Sequence, residues 1–452
     1  MASAAIKLAV IVLIFSVFAF YAGKTFFQVP PVPKMEEKWW GPGSPSKDTG
    51  ITPFKINVSD EVLRDLQHRL TDTLPFQEPL EGVKQHYGMN TNLLKTVVEF
   101  WRNNYRWRDQ EKFLNKFPQF KVGIQGLNIH YIHVKPEKTK GVKVRPLLLL
   151  HGWPGSVREF YEIIPLLTTP QKGRDIVFEV IVPSLPGYGF SDAAVRPGLN
   201  AAHMGIIMKN LMQKLGFDKY YVQGGDWGAL IVQQMSVLFP GKLLGVHSNM
   251  CVVNTALSNL KLFLYSFYPS AIIDEKLQHL VYPMTDKWTY IILETGYLHL
   301  QATKPDTIGV ALRDSPVGLA AYILEKFTTW TNPAWKDLDD GGLTKKYTLT
   351  KLLDNVMIYW VTRSITTSMR LYSESFSKET MSLQIDNIPT KVPYGCARFW
   401  YELAFQPEAI LREMFQNLVH VSDYEGGHFA AFEEPAALAQ DIFKFTDKVE
   451  KL

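Results

Sequence analysis

At 452 residues the chain exceeds one average domain, and 46% hydrophobic with 20% charged residues describes a globular protein with a large apolar core. Lys and Arg total 48 against 44 Asp and Glu, and this excess of +4, spread along the chain, excludes a basic nucleic-acid groove. Two cysteines, Cys251 and Cys396, are too few for a disulfide framework or a thiolate metal cluster. They are expected as separate thiols in a mostly reduced environment, with a single bridge between them the lesser alternative.

Residues 8–22 read LAVIVLIFSVFAFYA, with Lys7 before and Lys24 after. Counting Ala2 to Ala5 and Gly23, the stretch is just long enough to cross a bilayer. Bulky Phe20 and Tyr21 spoil the small-residue cleavage sites of a signal peptide, so residues 1–24 are expected to be an uncleaved membrane anchor. Lys24, Lys34 and Lys38 outnumber Lys7, which places the body on the cytoplasmic side, although Glu36 and Glu37 blur that count. The Pro- and Gly-rich stretch VPPVPKMEEKWWGPGSPSKDTG is an extended connector, with Trp39 and Trp40 expected to pack onto the globular body. The sequon Asn57-Val58-Ser59 matters only in a lumenal or secreted protein and is taken as a chance match.

SDEVLRDLQHRL, opening on Ser59 as N-cap, predicts a helix, and a second is expected around residues 93–103. LNIHYIHV alternates as a strand. Residues 25–140 are therefore connector and helical domain leading into the first strands. RPLLLLHGWPGS, FEVIVPSLPGYGFS and YYVQGGDWGALIVQQM each run from an apolar strand into a Gly-rich loop, and continuous apolar strands of this kind belong to a parallel sheet covered on both faces. Residues 141–251 thus form the first part of an α/β core. The rhythm is lost over residues 252–380, which are helix-rich and aromatic. It returns over residues 381–452 with KVPYGCARF, VHVSDYEGGHF and a final helix from Pro435. The expected architecture is an α/β core interrupted by a helical insertion.

Gly224-Gly225-Asp226-Trp227-Gly228 fits a nucleophile elbow, in which small residues two positions either side permit a strained strand-to-helix turn. The alternative is a plain Gly-rich turn. An ionised carboxylate needs no base to attack, and its natural target is an electrophilic alkyl carbon, giving an ester. His151-Gly152-Trp153-Pro154 follows a buried strand where this fold supplies an oxyanion-hole N–H, so the backbones of Trp153 and Trp227 are candidate donors. Gly426-Gly427-His428 lies before the last helix, where the fold delivers its general base. The order nucleophile, acid, base is completed by a carboxylate between Asp226 and His428, and spacing alone leaves Asp386, Asp423 and Glu425 as rivals for that role. GYGFSD and DLDDGG lack the residues of a phosphate loop or a calcium loop and are read as turns.

WWGPG, HGWPGS, PSLPGYGFSD, QGGDWG, TKPDTIGVALRDSPVGLAAYILEKFTTWTN and GGHFAAFEEP together resemble the microsomal epoxide hydrolase family from Trp39 to the C-terminus. GGDWG alone is shared with haloalkane dehalogenases, whereas the set is specific. GCARFWYE is similar to the insect branch that acts on juvenile hormone. The resemblance implies an α/β-hydrolase fold with a mostly parallel central sheet, a helical cap insertion and an N-terminal helical extension behind a membrane anchor. It places the nucleophile on Asp226, the base on His428, its charge partner on Glu402, and two cap phenols that hold the epoxide oxygen on Tyr297 and Tyr372. Packing in a helical cap is the plain alternative for each tyrosine, but a phenol suits the task because it donates to and protonates the opening ring without a metal.

The expected partners are a small apolar epoxide, water and, through the N-terminal helix, the endoplasmic reticulum membrane; no cofactor, metal or nucleic acid is expected. A haloalkane dehalogenase would use the same nucleophile with indole donors for a halide. A silent hormone or lipid carrier would have no use for Asp226, Glu402 and His428 together.

Overall fold

The computed structural model describes residue 23, residues 28–137 and residues 140–452. The apolar stretch at residues 8–22 lies outside the described residues, and among those described no helix is long and apolar enough to cross a membrane. Among the described residues nine strands form one sheet: β1 (Thr52–Phe54), β2 (Gln119–Ile124), β3 (Leu127–Val134), β4 (Lys143–Leu150), β5 (Ile176–Pro183), β6 (Tyr220–Gly224), β7 (Leu243–Ser248), β8 (Tyr394–Phe399) and β9 (Leu418–Tyr424). Their order is β1-β2-β3-β5-β4-β6-β7-β8-β9. The first pairings are antiparallel, and from β5 to β9 every pairing is parallel. Leu147 to Leu150 are buried in β4, as a strand covered on both faces requires. The chain turns from β4 to β5 on one side and then to β6 on the other, so a crevice opens at the carboxyl end of β4, where this sheet topology places its ligands.

Ser59 caps the helix Asp60–Thr71, its side chain accepting from Val62 N–H at 3.4 Å. The second predicted helix runs over Thr91–Asn103. Trp40 is buried with its ring edge-on to His203 at 5.1 Å, so the connector is packed onto the body. Between β7 and β8 a run of helices from Ala256 to Ser382 forms the cap.

Asp354, in the cap helix Leu349–Thr362, ties three regions together. Tyr105 from the N-terminal helices donates to its Oδ1 at 3.0 Å, and Arg158 from the core donates to its Oδ2 at 2.9 Å. Burial pushes this carboxyl up to about 6, against the pull of Arg158. The same helix holds the loop after β4: Asn355 donates to the Pro154 carbonyl at 2.8 Å and Tyr359 to the Gly155 carbonyl at 2.7 Å.

The expectation of two separate thiols is overturned. Cys251 and Cys396 are joined by a disulfide with Cα atoms 6.0 Å apart. β7 and β8 are parallel neighbours with Ser248 opposite Cys396, so Cys251 just beyond the strand end reaches its partner. A separation of 145 residues hides this adjacency from a linear reading.

Candidate active site

Four loops leave the carboxyl edge of the sheet around one point. Leu150 of β4 is paired with Gly224 of β6, so the segments that follow them emerge side by side. Asp226 occupies the turn after β6 at φ 49°, ψ −130°, a conformation that costs energy for any residue but glycine. Its flanks allow this because they lack side chains. A Cβ at Gly224 would lie 2.4 Å from the Gly228 carbonyl carbon, and one at Gly228 would lie 2.2 Å from the Leu150 oxygen. Gly152 clears room for the carboxylate itself, since a Cβ there would lie 2.1 Å from Asp226 Oδ1.

The two carboxylate oxygens of Asp226 have different partners. The Trp153 N–H donates to Oδ1 at 2.8 Å, and His428 Nε2 lies 3.3 Å from Oδ2. Trp227 opens the helix Trp227–Leu238, whose first N–H groups lack intrahelical acceptors and favour negative charge. His151 serves the loop: buried and pushed down to about 4 by desolvation, its ring accepts from Leu185 N–H at 3.2 Å and meets the Gly152 carbonyl at 3.0 Å.

His428 arrives on the loop after β9, and Glu402 on the turn after β8, two strands paired with Phe399 opposite Tyr424. Nδ1 of His428 meets Glu402 Oε1 at 2.5 Å, and the same oxygen accepts from Leu403 N–H at 2.7 Å. Burial works against the imidazolium, but Glu402 and then Asp226 outweigh it and hold His428 well above the usual histidine range. The rival carboxylates are engaged elsewhere: Asp386 accepts from Gln234, Asp423 pairs with Arg398, and Glu425 is exposed.

Tyr297 and Tyr372 descend from the cap to the same point. The Tyr297 ring stacks on Trp153 at 5.3 Å and 9°, and Tyr372 stands edge-on to Trp227 at 4.8 Å and to Tyr297 at 6.0 Å. The Tyr372 hydroxyl is buried, with Tyr297 and Trp227 as its polar neighbours. Burial pushes both phenols well above their usual range, and the charge of Asp226 adds to it, so both stay protonated donors at neutral pH. All seven residues singled out in the sequence therefore meet at one site.

Two supporting residues were not legible beforehand. Glu433, five residues beyond His428, accepts from Gly427 N–H at 2.7 Å and from Phe429 N–H at 2.9 Å, clamping both sides of His428. A carboxylate shortly after a Gly-Gly-His turn, whose N–H groups need acceptors, was the available clue. Lys326 is buried and its ammonium lies 4.4 Å from the Tyr297 ring centroid, where a cation favours electron density on the ring. Among the described residues no group of His, Cys, Asp and Glu is arranged to hold a metal ion.

A parallel-edged sheet with an acid residue at the elbow, a histidine and carboxylate on later loops and a helical cap defines an α/β-hydrolase with a carboxylate at the nucleophile position. Residues 51–160 match the family described as Epoxide hydrolase N terminus, and residues 145–289 match the alpha/beta hydrolase fold. The chain is 54% identical over 417 residues to Juvenile hormone epoxide hydrolase 1 of Ctenocephalides felis, covering 92% of this chain and 90% of that one. It is 45% identical to Epoxide hydrolase 1 of Oryctolagus cuniculus over 450 residues, covering 97% and 98% of the two chains. The crystal structure of juvenile hormone epoxide hydrolase from the silkworm Bombyx mori superposes with a TM-score of 0.89 at 48% identity, covering 92% of this chain and 99% of that one. The chain belongs to the microsomal epoxide hydrolase family and is an epoxide hydrolase.

Proposed function

We propose that the chain opens apolar epoxides in two steps through an ester on Asp226. The observation that carries this is the division of the Asp226 carboxylate, one oxygen on the Trp153 N–H and the other facing His428. Tyr297 and Tyr372 hold the epoxide oxygen. The Asp226 oxygen not held by Trp153 attacks a ring carbon, the carbon–oxygen bond breaks, and one phenol gives its proton to the departing oxygen. With Asp226 esterified, His428 passes its extra proton to the phenolate and then, neutral and oriented by Glu402, takes a proton from water. The water oxygen adds to Cγ of Asp226, and the N–H groups of Trp153 and Trp227 receive the oxyanion. Collapse releases the diol oxygen, which takes its proton from His428, and the proton of the regenerated carboxyl returns to His428. Replacing His428 with Gln stops the second step more than the first, so mass spectrometry of that variant should find substrate bound to the Asp226 peptide. Substrate consumption with no adduct would overturn the two-step scheme.

The substrate we infer is juvenile hormone, an apolar epoxide. The names of the flea and silkworm relatives support it. Diol formation from a juvenile hormone should exceed that from styrene oxide in one purified preparation; the reverse preference would point to foreign epoxides. We further propose that residues 8–22 anchor the protein in the endoplasmic reticulum membrane. Exposed Phe267, Trp288, Ile292 and Leu293 on the cap support a membrane-facing surface. The basic residues after the apolar stretch favour a cytoplasmic body, whereas the Cys251–Cys396 bridge favours an oxidising compartment. Protease protection in sealed microsomes decides the orientation.

A further inference from the structure

A third carboxylate, beside Asp226 and Glu402, stands at the reaction centre. Glu159 lies in the single 3-10 turn Val157–Phe160, just beyond the loop that carries Trp153. It is half-buried and lines a small cavity behind Asp226 together with Gly152, Asn249 and His428. Gly155 makes that position possible, because a Cβ there would lie 1.5 Å from Glu159 Oε1. The cavity leaves about 10 Å³ for the centre of a water-sized sphere, close to what a single water requires. Its walls offer the carboxyl of Glu159, the imidazole of His428 and the carboxylate of Asp226. A buried water needs two to four such partners.

The charge state suits the same task. Burial pushes the Glu159 carboxyl up to about 8, His428 pulls it down, and Asp226 pushes it up again. A carboxyl that is neutral at pH 7 carries both a donor and an acceptor. It leaves Glu402 as the anion that orients His428. No other step of the proposed reaction uses Glu159.

We propose that Glu159 is a water-positioning residue: it holds the hydrolytic water in this cavity between His428 and Cγ of Asp226. The inference rests on the two-step reading above. Glu159 accepts one hydrogen of the water while His428 takes the other, so the oxygen lone pair turns toward Cγ. Glu159 neither loses nor gains a proton overall.

The test is rapid-quench kinetics with styrene oxide, following the Asp226 adduct by mass spectrometry in wild type and in three variants. Glu159→Leu removes both hydrogen-bonding functions. Glu159→Asp keeps the acid but withdraws it by one methylene, and Glu159→Gln keeps donor, acceptor and reach. Adduct formation should stay within about twofold of wild type in all three. Adduct decay should slow by about tenfold or more in the Leu and Asp variants, the scale on which misplaced reactants lose rate, and recover most of the way in Gln. If Leu fails to fold, the Asp and Gln pair still decides. Equal slowing of both steps, or Asp decaying as fast as Gln, overturns the assignment. Absence of any Asp226 adduct in wild type would instead overturn the two-step reading.

Discussion

His428 Nε2 faces Asp226 Oδ2 across 3.3 Å, so the residue proposed as the later base has its hold on a proton strengthened by the carboxylate proposed as the nucleophile. Alkylation makes Asp226 a neutral ester and removes one of the two anions that favour the imidazolium. Formation of the ester thereby weakens the hold of His428 on its proton. The sign follows directly: an anion raises a histidine pKa, and its removal lowers it. In Asp226→Asn the His428 pKa should fall by about one unit or more from its wild-type value. An NMR titration of the labelled imidazole measures it, and no change would assign the whole effect to Glu402.

On the proposed scheme the cap phenols act on the ring-opening step. Tyr297→Phe or Tyr372→Phe should each slow adduct formation by about 10² to 10⁴, the usual contribution of a positioned acid, and the double variant should leave no measurable turnover of a plain epoxide. Decay of an adduct already formed should be unchanged. Single-turnover rates separate the two steps.

Glu433 satisfies two buried backbone donors on either side of the histidine. Glu433→Ala should therefore destabilise the protein by about 1–3 kcal/mol for each orphaned N–H. Diol formation should fall beyond what the loss of folded protein explains, because His428 loses its fixed backbone. Thermal unfolding monitored beside kcat tests both halves.

Asp441 is a buried anion shared by His247 at 2.8 Å, His420 at 2.9 Å and the Tyr424 hydroxyl at 2.8 Å. Burial opposes its charge, yet the hydrogen bonds from the two histidines prevail and hold it well below the usual carboxylate range. A carboxylate depressed in the folded state stabilises above its unfolded pKa, about 3.9, and loses that contribution as the pH falls toward the folded value. Asp441→Asn should accordingly lower Tm at neutral pH, and the gap from wild type should narrow below about pH 4. A gap that stays constant with pH would show that packing, not charge, is at stake.

Residues close in sequence to a strand end were legible because local chemistry marks them. Gly224 and Gly228 announce the elbow, since any side chain there strikes the backbone. The Gly-Gly-His turn and the oxyanion loop are marked in the same way. Glu402 could not be separated from Asp423 by spacing, because one follows β8 and the other lies near the end of the neighbouring β9. Only resemblance chose between them, and the 2.5 Å contact to His428 agrees. Tyr297 and Tyr372 were equally silent, because helix periodicity says nothing about which cap residue points down. Glu159 and Glu433 went unremarked because a buried acid is recognised only once its surroundings are known. The paired cysteines belong with these, being brought together by strand order and not by proximity along the chain.

Cysteine alkylation gives a direct measurement of that pair. Purified protein kept unreduced should leave Cys251 and Cys396 unlabelled by iodoacetamide, and both should label after reduction. Cys396→Ala should cost about 2–4 kcal/mol of stability, the range usual for a native bridge. Quantitative labelling of unreduced, folded protein would remove the bridge from the native state.

Cys251 lies where the chain leaves the sheet for the cap, and Cys396 where it has just returned. The bridge therefore knots the two stems of the cap into a covalently closed ring seated on the core. A protease that nicks any cap loop would leave both fragments attached, so such a cut would be invisible on a non-reducing gel. Because the stems cannot part, the cap cannot be drawn away from the core at the point where its two ends meet the sheet. Tyr297 and Tyr372 belong to that closed ring, while Asp226 belongs to the core beneath it.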